Sequence, residues 1–193
     1  MTDSLAPDAV LPLLRGRFGR PYTYVERCES TQRLLGDDAP VGAVATTDEQ
    51  TAGRGRLGRD WVAPPESSVL ASIVLQPDVP TASLAELSLV AGRACAQALA
   101  EVAEVVPTVK WPNDVLIDGR KVAGILAEAR EGRVVLGIGI NVHQTADQLP
   151  ELAKHPATSL LLETGRRVER AGLLASLLDH LEREHDAWVS GYR

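Results

Sequence analysis

Apolar residues along the chain recur with two different periods, and the alternation between them predicts the elements. Val10, Leu11 and Leu14 fall on one side of a short helix over Asp8–Phe18, and Tyr22–Arg27 alternates as a strand. Ser30–Leu35 opens on a capping residue and reads as a short helix, followed by a strand over Val41–Thr47. Val69–Leu75 is a short apolar run that suits a buried strand. Ser83 and Glu86 form a capping-box pattern before a long helix that carries Leu84, Leu87, Ala91, Ala94, Cys95, Ala98, Leu99 and Val102. A meander follows, with strands over Val109–Ile117 (interrupted at Pro112), Arg120–Ala129 and Val134–Val142. Asp118-Gly119 suits a two-residue hairpin turn, and Glu131-Gly132 supplies the next turn. Leu174, Leu177, Leu178, Leu181 and Trp188 mark one face of a last helix over about Glu169–Val189. Strands outnumber helices and the helices segregate, so the pattern predicts an α+β fold with a mixed or antiparallel sheet and helices packed on one side.

Periodicity vanishes between Asp48 and Pro65, where Gly, Arg and Pro dominate, and connections of that length are usually functional or disordered. Its centre reads Gly53-Arg54-Gly55-Arg56-Leu57-Gly58-Arg59. Three arginines without an acid make a local positive focus, glycines let a backbone approach a ligand, and guanidinium forks match phosphate or carboxylate. The loop is neither a P-loop nor a dinucleotide fingerprint, and a solvated turn would look similar.

Composition narrows the rest. The 193 residues fit a single domain over residues 1–193, and the 45% hydrophobic content is ordinary for a globular protein. A net charge of −6 argues against a general nucleic-acid binder. No apolar run is long enough to span a membrane, and the N-terminus lacks a secretory pattern, so the cytoplasm is the expected location. Cys28 and Cys95 lack metal spacing and are expected to be reduced, Cys95 as core packing. His180 and His185 stand about 140° apart around a helix and cannot form a one-face zinc pair, so they read as surface residues. His143 follows the glycine-rich strand and could lie near a pocket.

The basic residues are 17 arginines and three lysines, and two of the lysines, Lys110 and Lys121, flank one hairpin. With Asp118-Gly119 as the turn, Leu116 faces Lys121 and Asp114 faces Ala123, making Asp114 and Lys121 diagonal neighbours about 7–8 Å apart at the backbone. That pair is either an ordinary cross-strand ion pair or a lysine meeting an anionic substrate beside an acid that holds it or a metal. Lys154 reads as an ordinary surface lysine. In Val134–Val142 the alternation puts Val134, Leu136, Ile138, Ile140 and Val142 on the core face and Gly137, Gly139 and Asn141 on the other. Such a bare strip is either the floor of a pocket or a seat for a closely packed helix.

Taken in order, Ser30-Thr31-Gln32, Gln50, GRGRLGR with Trp61 after it, Lys110-Trp111-Pro112-Asn113-Asp114, Lys121-Val122-Ala123-Gly124-Ile125-Leu126 and GIGINV closely resemble the biotin–protein ligase family from about Ser30 to Asn141. The resemblance implies a class II synthetase-like catalytic domain that uses biotin, ATP and Mg2+. In two steps it would form biotinyl-5′-AMP and then biotinylate a lysine of the biotin carboxyl carrier protein of acetyl-CoA carboxylase. It implies biotin contacts from Ser30, Thr31, Gln32, Gln50, Gly53, Arg54, Gly55, Arg56, Lys121 and Gly124, with the loop ordering when ligand binds. Nucleotide or adenylate contacts would come from Arg56, Arg59, Trp61, Lys110, Asn113, Asp114 and Asn141. Lys121, Arg54 and Arg56 would carry the catalytic charge, while Gly124, Gly137 and Gly139 leave room for ligand; no metal ligand is assigned. Gln32 replaces the family's usual Asn, and Leu57 a common basic residue. The chain is expected to lack the family's N-terminal DNA-binding module and C-terminal β-barrel, so no DNA partner is expected, and strand edges offer a route to a homodimer. A lipoate ligase or octanoyltransferase relative and a non-catalytic biotin sensor are the alternatives.

Overall fold

The computed structural model describes residues 3–151 and 155–192; Lys154 and Arg193 lie outside the described residues. The chain runs through α1 (Pro7–Val10), β1 (Tyr22–Cys28), α2 (Thr31–Leu34), β2 (Val44–Gln50), β3 (Ser68–Leu75), α3 (Leu87–Ala103), β4 (Pro107–Lys110), β5 (Asp114–Ile117), β6 (Arg120–Arg130), β7 (Arg133–Asn141), α4 (Leu160–Thr164) and α5 (Arg170–Ser190). The seven strands form one sheet in the order β1-β2-β3-β7-β6-β5-β4. Every neighbouring pair is antiparallel except β1–β2, which is parallel. Parallel neighbours need a crossover, and the segment that carries α2 supplies it. The architecture is α+β, as the pattern predicts.

One face of the sheet holds the core. Val69, Ala71, Ile73 and Leu75 of β3 and Val134, Leu136, Ile138 and Ile140 of β7 join the buried side of α3 and α5 there. Cys95 lies in the same core, and burial pushes its thiol up to about 12, which makes it unreactive packing. α2 corrects the expectation of helices on one side only. It lies on the opposite face, where Leu34 and Leu35 meet Ala43, Ala45 and Val74.

Local expectations fail at several edges, each for a visible reason. The first helix is shorter than expected, because the chain tightens at Leu11–Leu13 into a 3-10 turn. Ser83 caps nothing: its own N–H donates to Pro80 O at 2.8 Å inside a 3-10 turn over Thr81–Glu86, and α3 starts only at Leu87. Ser30 likewise makes no side-chain cap on α2. β2 begins three residues late and runs through Asp48 to Gln50, so the irregular connection is shorter than the composition suggests. The Asp118-Gly119 turn forms with both residues at positive φ, and Leu116 pairs with Lys121 as expected. A register shift beyond Leu116 then places Asp114 opposite Gly124 instead of Ala123. A bulge adds a residue that no hydrophobic alternation reveals in advance. His180 and His185 are half-buried rather than surface residues, His180 against Glu101 and His185 edge-on to Phe18 and Trp188.

Candidate functional site on the glycine face of the sheet

The face turned away from α3 and α5 is nearly free of side chains at its centre. β6 and β7 align Gly124 with Gly139, and Gly137 follows two residues along. Among the described residues no long helix packs there. The indole of Trp61 lies against Gly124 and Gly139 instead, and a Cβ at Gly139 would come within 2.5 Å of the ring. Gln32 covers Gly137, its amide donating to Leu126 O and Val135 O at 3.3 Å each. The room expected for a ligand is therefore shared with Trp61 and Gln32. Trp61 Nε1 is buried without a hydrogen-bond partner among the described residues, a donor whose desolvation costs about 1–3 kcal/mol until something accepts from it. Gly139→Ala is expected to expel the indole. The measure is increased acrylamide quenching of Trp61 fluorescence with Trp111 and Trp188 replaced by Phe; unchanged quenching would mean that the bare backbone does not seat the ring.

Lys121 stands at one end of this strip. Its side chain is 17% exposed, and its ammonium lies 2.7 Å from Asp114 Oδ1 and 5.7 Å from the centroid of the Trp61 ring. The Asp114 contact is close but poorly aligned for a hydrogen bond, since Oδ1 has no partner of acceptable geometry. The pair is best described as an ion pair that a second anion could share. Arg56 adds charge without an acidic partner among the described residues: its one side-chain bond is to Asn113 Oδ1 at 3.3 Å. Asn113 is itself anchored, donating through Nδ2 to Ile125 O at 3.1 Å.

At the other end the polar groups come from α2, β2 and β3. Gln50 Oε1 accepts from the Thr31 N–H at 2.8 Å and from the Thr31 hydroxyl at 3.2 Å, and that hydroxyl lies 2.7 Å from Ser72 Oγ. Ser30, Thr31 and Gln32 are all buried. Between the two ends runs the arginine loop, folded back on itself by the Gly55 N–H to Arg59 O bond at 2.7 Å and the Trp61 N–H to Gly53 O bond at 2.9 Å.

Several expected site residues stand apart. Arg54 forms a two-pronged ion pair with Glu128, so its charge is already balanced. Arg59 and Lys110 are exposed, and Arg59 Nε donates only to Arg56 O at 3.3 Å. Asn141 is buried with both ends of its amide engaged, Nδ2 on Thr158 O at 3.0 Å and Oδ1 under Gln144 Nε2 at 3.1 Å. His143 is buried behind the sheet, with Nε2 2.9 Å from Val168 O, and is no part of this face. Glu128 and Ser72 went unrecognised in the sequence. Both could have been found by parity, Glu128 four residues after Gly124 on one strand and Ser72 as the polar position in the apolar run of β3. No cluster of three or more His, Cys, Asp or Glu side chains suited to a metal occurs among the described residues.

The chain matches the model of the biotin/lipoate A/B protein ligase family over residues 24–144. It is 38% identical over 181 residues to the bifunctional ligase/repressor BirA of Bacillus spizizenii, covering 89% of this chain and 56% of that protein. Identity to the biotin–[acetyl-CoA-carboxylase] ligase of Mycobacterium tuberculosis is 42% over 151 residues, or 76% of this chain and 55% of that one. Among solved structures, the biotin protein ligase of Aquifex aeolicus in complex with biotin and ATP aligns with a TM-score of 0.78 at 34% identity, covering 86% of this chain and 71% of its own. The chain thus spans just over half the length of the two curated relatives.

Proposed function

The chain belongs to the biotin/lipoate A/B protein ligase family, and from that premise we propose that it is an ATP-dependent biotin–protein ligase. The observation that carries this reading is a largely buried ammonium group, Lys121, at the end of a sheet face stripped of side chains at Gly124, Gly137 and Gly139. A flat bicyclic ligand with a carboxylate tail suits such a face, with the tail directed to the lysine. Thr31, Ser72 and Gln50 offer hydroxyl and amide groups for the ureido end. Arg56 and Lys121 supply the positive charge for the tail and a phosphate.

In the first step a biotin carboxylate oxygen forms a bond to the α-phosphorus of ATP, and the bond to the pyrophosphate oxygen breaks, so pyrophosphate leaves with its electron pair. Negative charge accumulates between two anions, and Lys121 and Arg56 offset it in a partly dehydrated place where such interactions are strong. In the second step the amine of an acceptor lysine on a biotin carboxyl carrier protein attacks the acyl carbon and AMP departs. Magnesium fits as a companion of the triphosphate, because this ion needs only one or two carboxylates besides phosphate and water, and Asp114 is the carboxylate at hand. When bound, it would neutralise phosphate charge.

The test is to mix the protein with biotin, MgATP and a biotin carrier domain and to weigh the products. Biotin-dependent pyrophosphate release and a carrier heavier by one biotinyl group are expected. Tight biotin binding without either product would make the chain a sensor, and transfer of a lipoyl or octanoyl group in place of biotin would assign it to the other branch of the family.

A further inference from the structure

Lys121 has a second set of partners, on its main chain. β6 pairs with β7 only from the Ala123–Ile140 pair onward, and β7 ends at Asn141, so Lys121 lies beyond the end of that ladder. A segment from far downstream takes the open side. The Lys121 N–H donates to Pro156 O at 2.8 Å, and the Thr158 N–H donates to Lys121 O at 2.8 Å, a parallel bridge between Lys121 and Ala157. On its other side Lys121 pairs with Leu116 next to the register shift, where a ladder is disrupted and holds its residues less firmly.

Thr158 is 1% exposed and all of its polar groups are engaged. Its carbonyl accepts from Asn141 Nδ2 at 3.0 Å, and its hydroxyl donates to Glu163. Glu163 also receives Arg120, the residue before Lys121, at 2.7 Å. Asn141 is locked in turn by Gln144, whose amide donates to Asn141 Oδ1 at 3.1 Å and to Ser68 Oγ at 2.6 Å.

The geometry points to Thr158 and Asn141 as positioning residues for Lys121: they hold the bridge that places its Cα, and so set where the ammonium ends. This rests on the adenylation role proposed for Lys121. It also gives Asn141 a task different from the nucleotide contact that the family resemblance implies. An ammonium on a four-carbon stem is mobile, and an error of about 1 Å at a reacting group costs on the order of 10²-fold in rate.

The chain has three lysines, so 13C-lysine labelling gives three sets of ε signals, and the set lost in Lys121→Arg belongs to Lys121. The nearby Trp61 ring displaces that signal through its ring current. In ligand-free protein, Thr158→Val and Asn141→Ala are each expected to remove at least about half of this displacement. Both should slow single-turnover biotinyl-AMP formation about tenfold while biotin affinity moves less than about threefold. Thr158→Ser, which keeps the hydroxyl, should restore both readouts. A Lys121 signal and rate unchanged from wild type in Thr158→Val overturn the inference. So does a loss of rate matched by an equal loss of biotin binding with the Lys121 signal in place, the mark of a merely structural role. Should Thr158→Val fail to fold, Asn141→Ala carries the same readouts, and a direct nucleotide contact would leave its ligand-free Lys121 signal unmoved. Should the wild-type protein form no adenylate, the ligase reading fails, while the ligand-free signal still decides whether the bridge positions Lys121.

Discussion

Lys121→Ala is expected to slow single-turnover formation of biotinyl-AMP by on the order of 10²–10³-fold, the usual loss when one preorganised charge partner of a transition state is removed. Biotin binding should fall far less, because the polar groups proposed for the ureido end (Thr31, Gln50 and Ser72) hydrogen-bond one another without the lysine. The fold should survive as well. Asp114 keeps 24% of its side chain exposed, and truncating the lysine opens its buried Oδ1 to water as well. Lys121→Arg is a sharp control, since it preserves charge but replaces a compact ammonium with a bulkier planar fork that reaches farther. It is expected to recover little. Rapid-quench measurement of the adenylate decides the matter, and a wild-type single-turnover rate in Lys121→Ala would remove the role assigned to this residue.

Arg170→Met is expected to produce the largest loss of stability. Arg170 has no exposed surface, yet its side chain ends in a guanidinium. Its guanidinium donates to Asp48 Oδ1 at 2.8 Å, Asp3 Oδ2 at 3.0 Å, Asp3 O at 2.7 Å and Ser68 O at 3.2 Å. Tyr24 hydrogen-bonds Asp48 from the far side; burial, and then that bond, push its hydroxyl pKa well above the usual tyrosine value. Removing the cation leaves Asp48 buried beside an apolar side chain, which costs about 3–5 kcal/mol. For a chain of this size that is a fall in Tm of roughly 6–20 °C. Adding Asp48→Asn should recover part of the loss, because the orphaned charge goes with it. Denaturant unfolding of both variants measures this directly. A loss below about 1 kcal/mol in Arg170→Met would show that the network is worth no more than a surface pair.

Much of the candidate site was legible because it is built from short-range rules. The Asp118-Gly119 turn brought Lys121 back beside β5, and period-2 alternation placed Gly137, Gly139 and Asn141 on the face away from the core. Both inferences need only the residues within one hairpin. The open alternatives were decided elsewhere. Whether the glycine strip received a helix or a pocket depended on Trp61, which reaches it from the loop between β2 and β3. Whether Arg54 was available to an anion depended on Glu128, across the sheet. The bulge moved Asp114 to face Gly124 instead of Ala123, and its pair with Lys121 formed all the same.

The one strand expected over Val109–Ile117 is in fact two, β4 and β5, paired antiparallel across Trp111–Asn113. The residue pattern nevertheless settled most element types, the turns at Asp118-Gly119 and Glu131-Gly132, the core face of β7 and the residue types able to handle an anion. Each follows from backbone and side-chain preferences that act over a few neighbours. The tertiary structure decided which charges are spent and which remain, because that depends on partners far apart in the chain. Asp48 meets Arg170, Glu128 meets Arg54 and Pro156–Thr158 meets Lys121 only in the assembled fold. No local pattern records those meetings: burial and electrostatics act through space, and a residue's neighbours in space are fixed by the packing of the whole sheet.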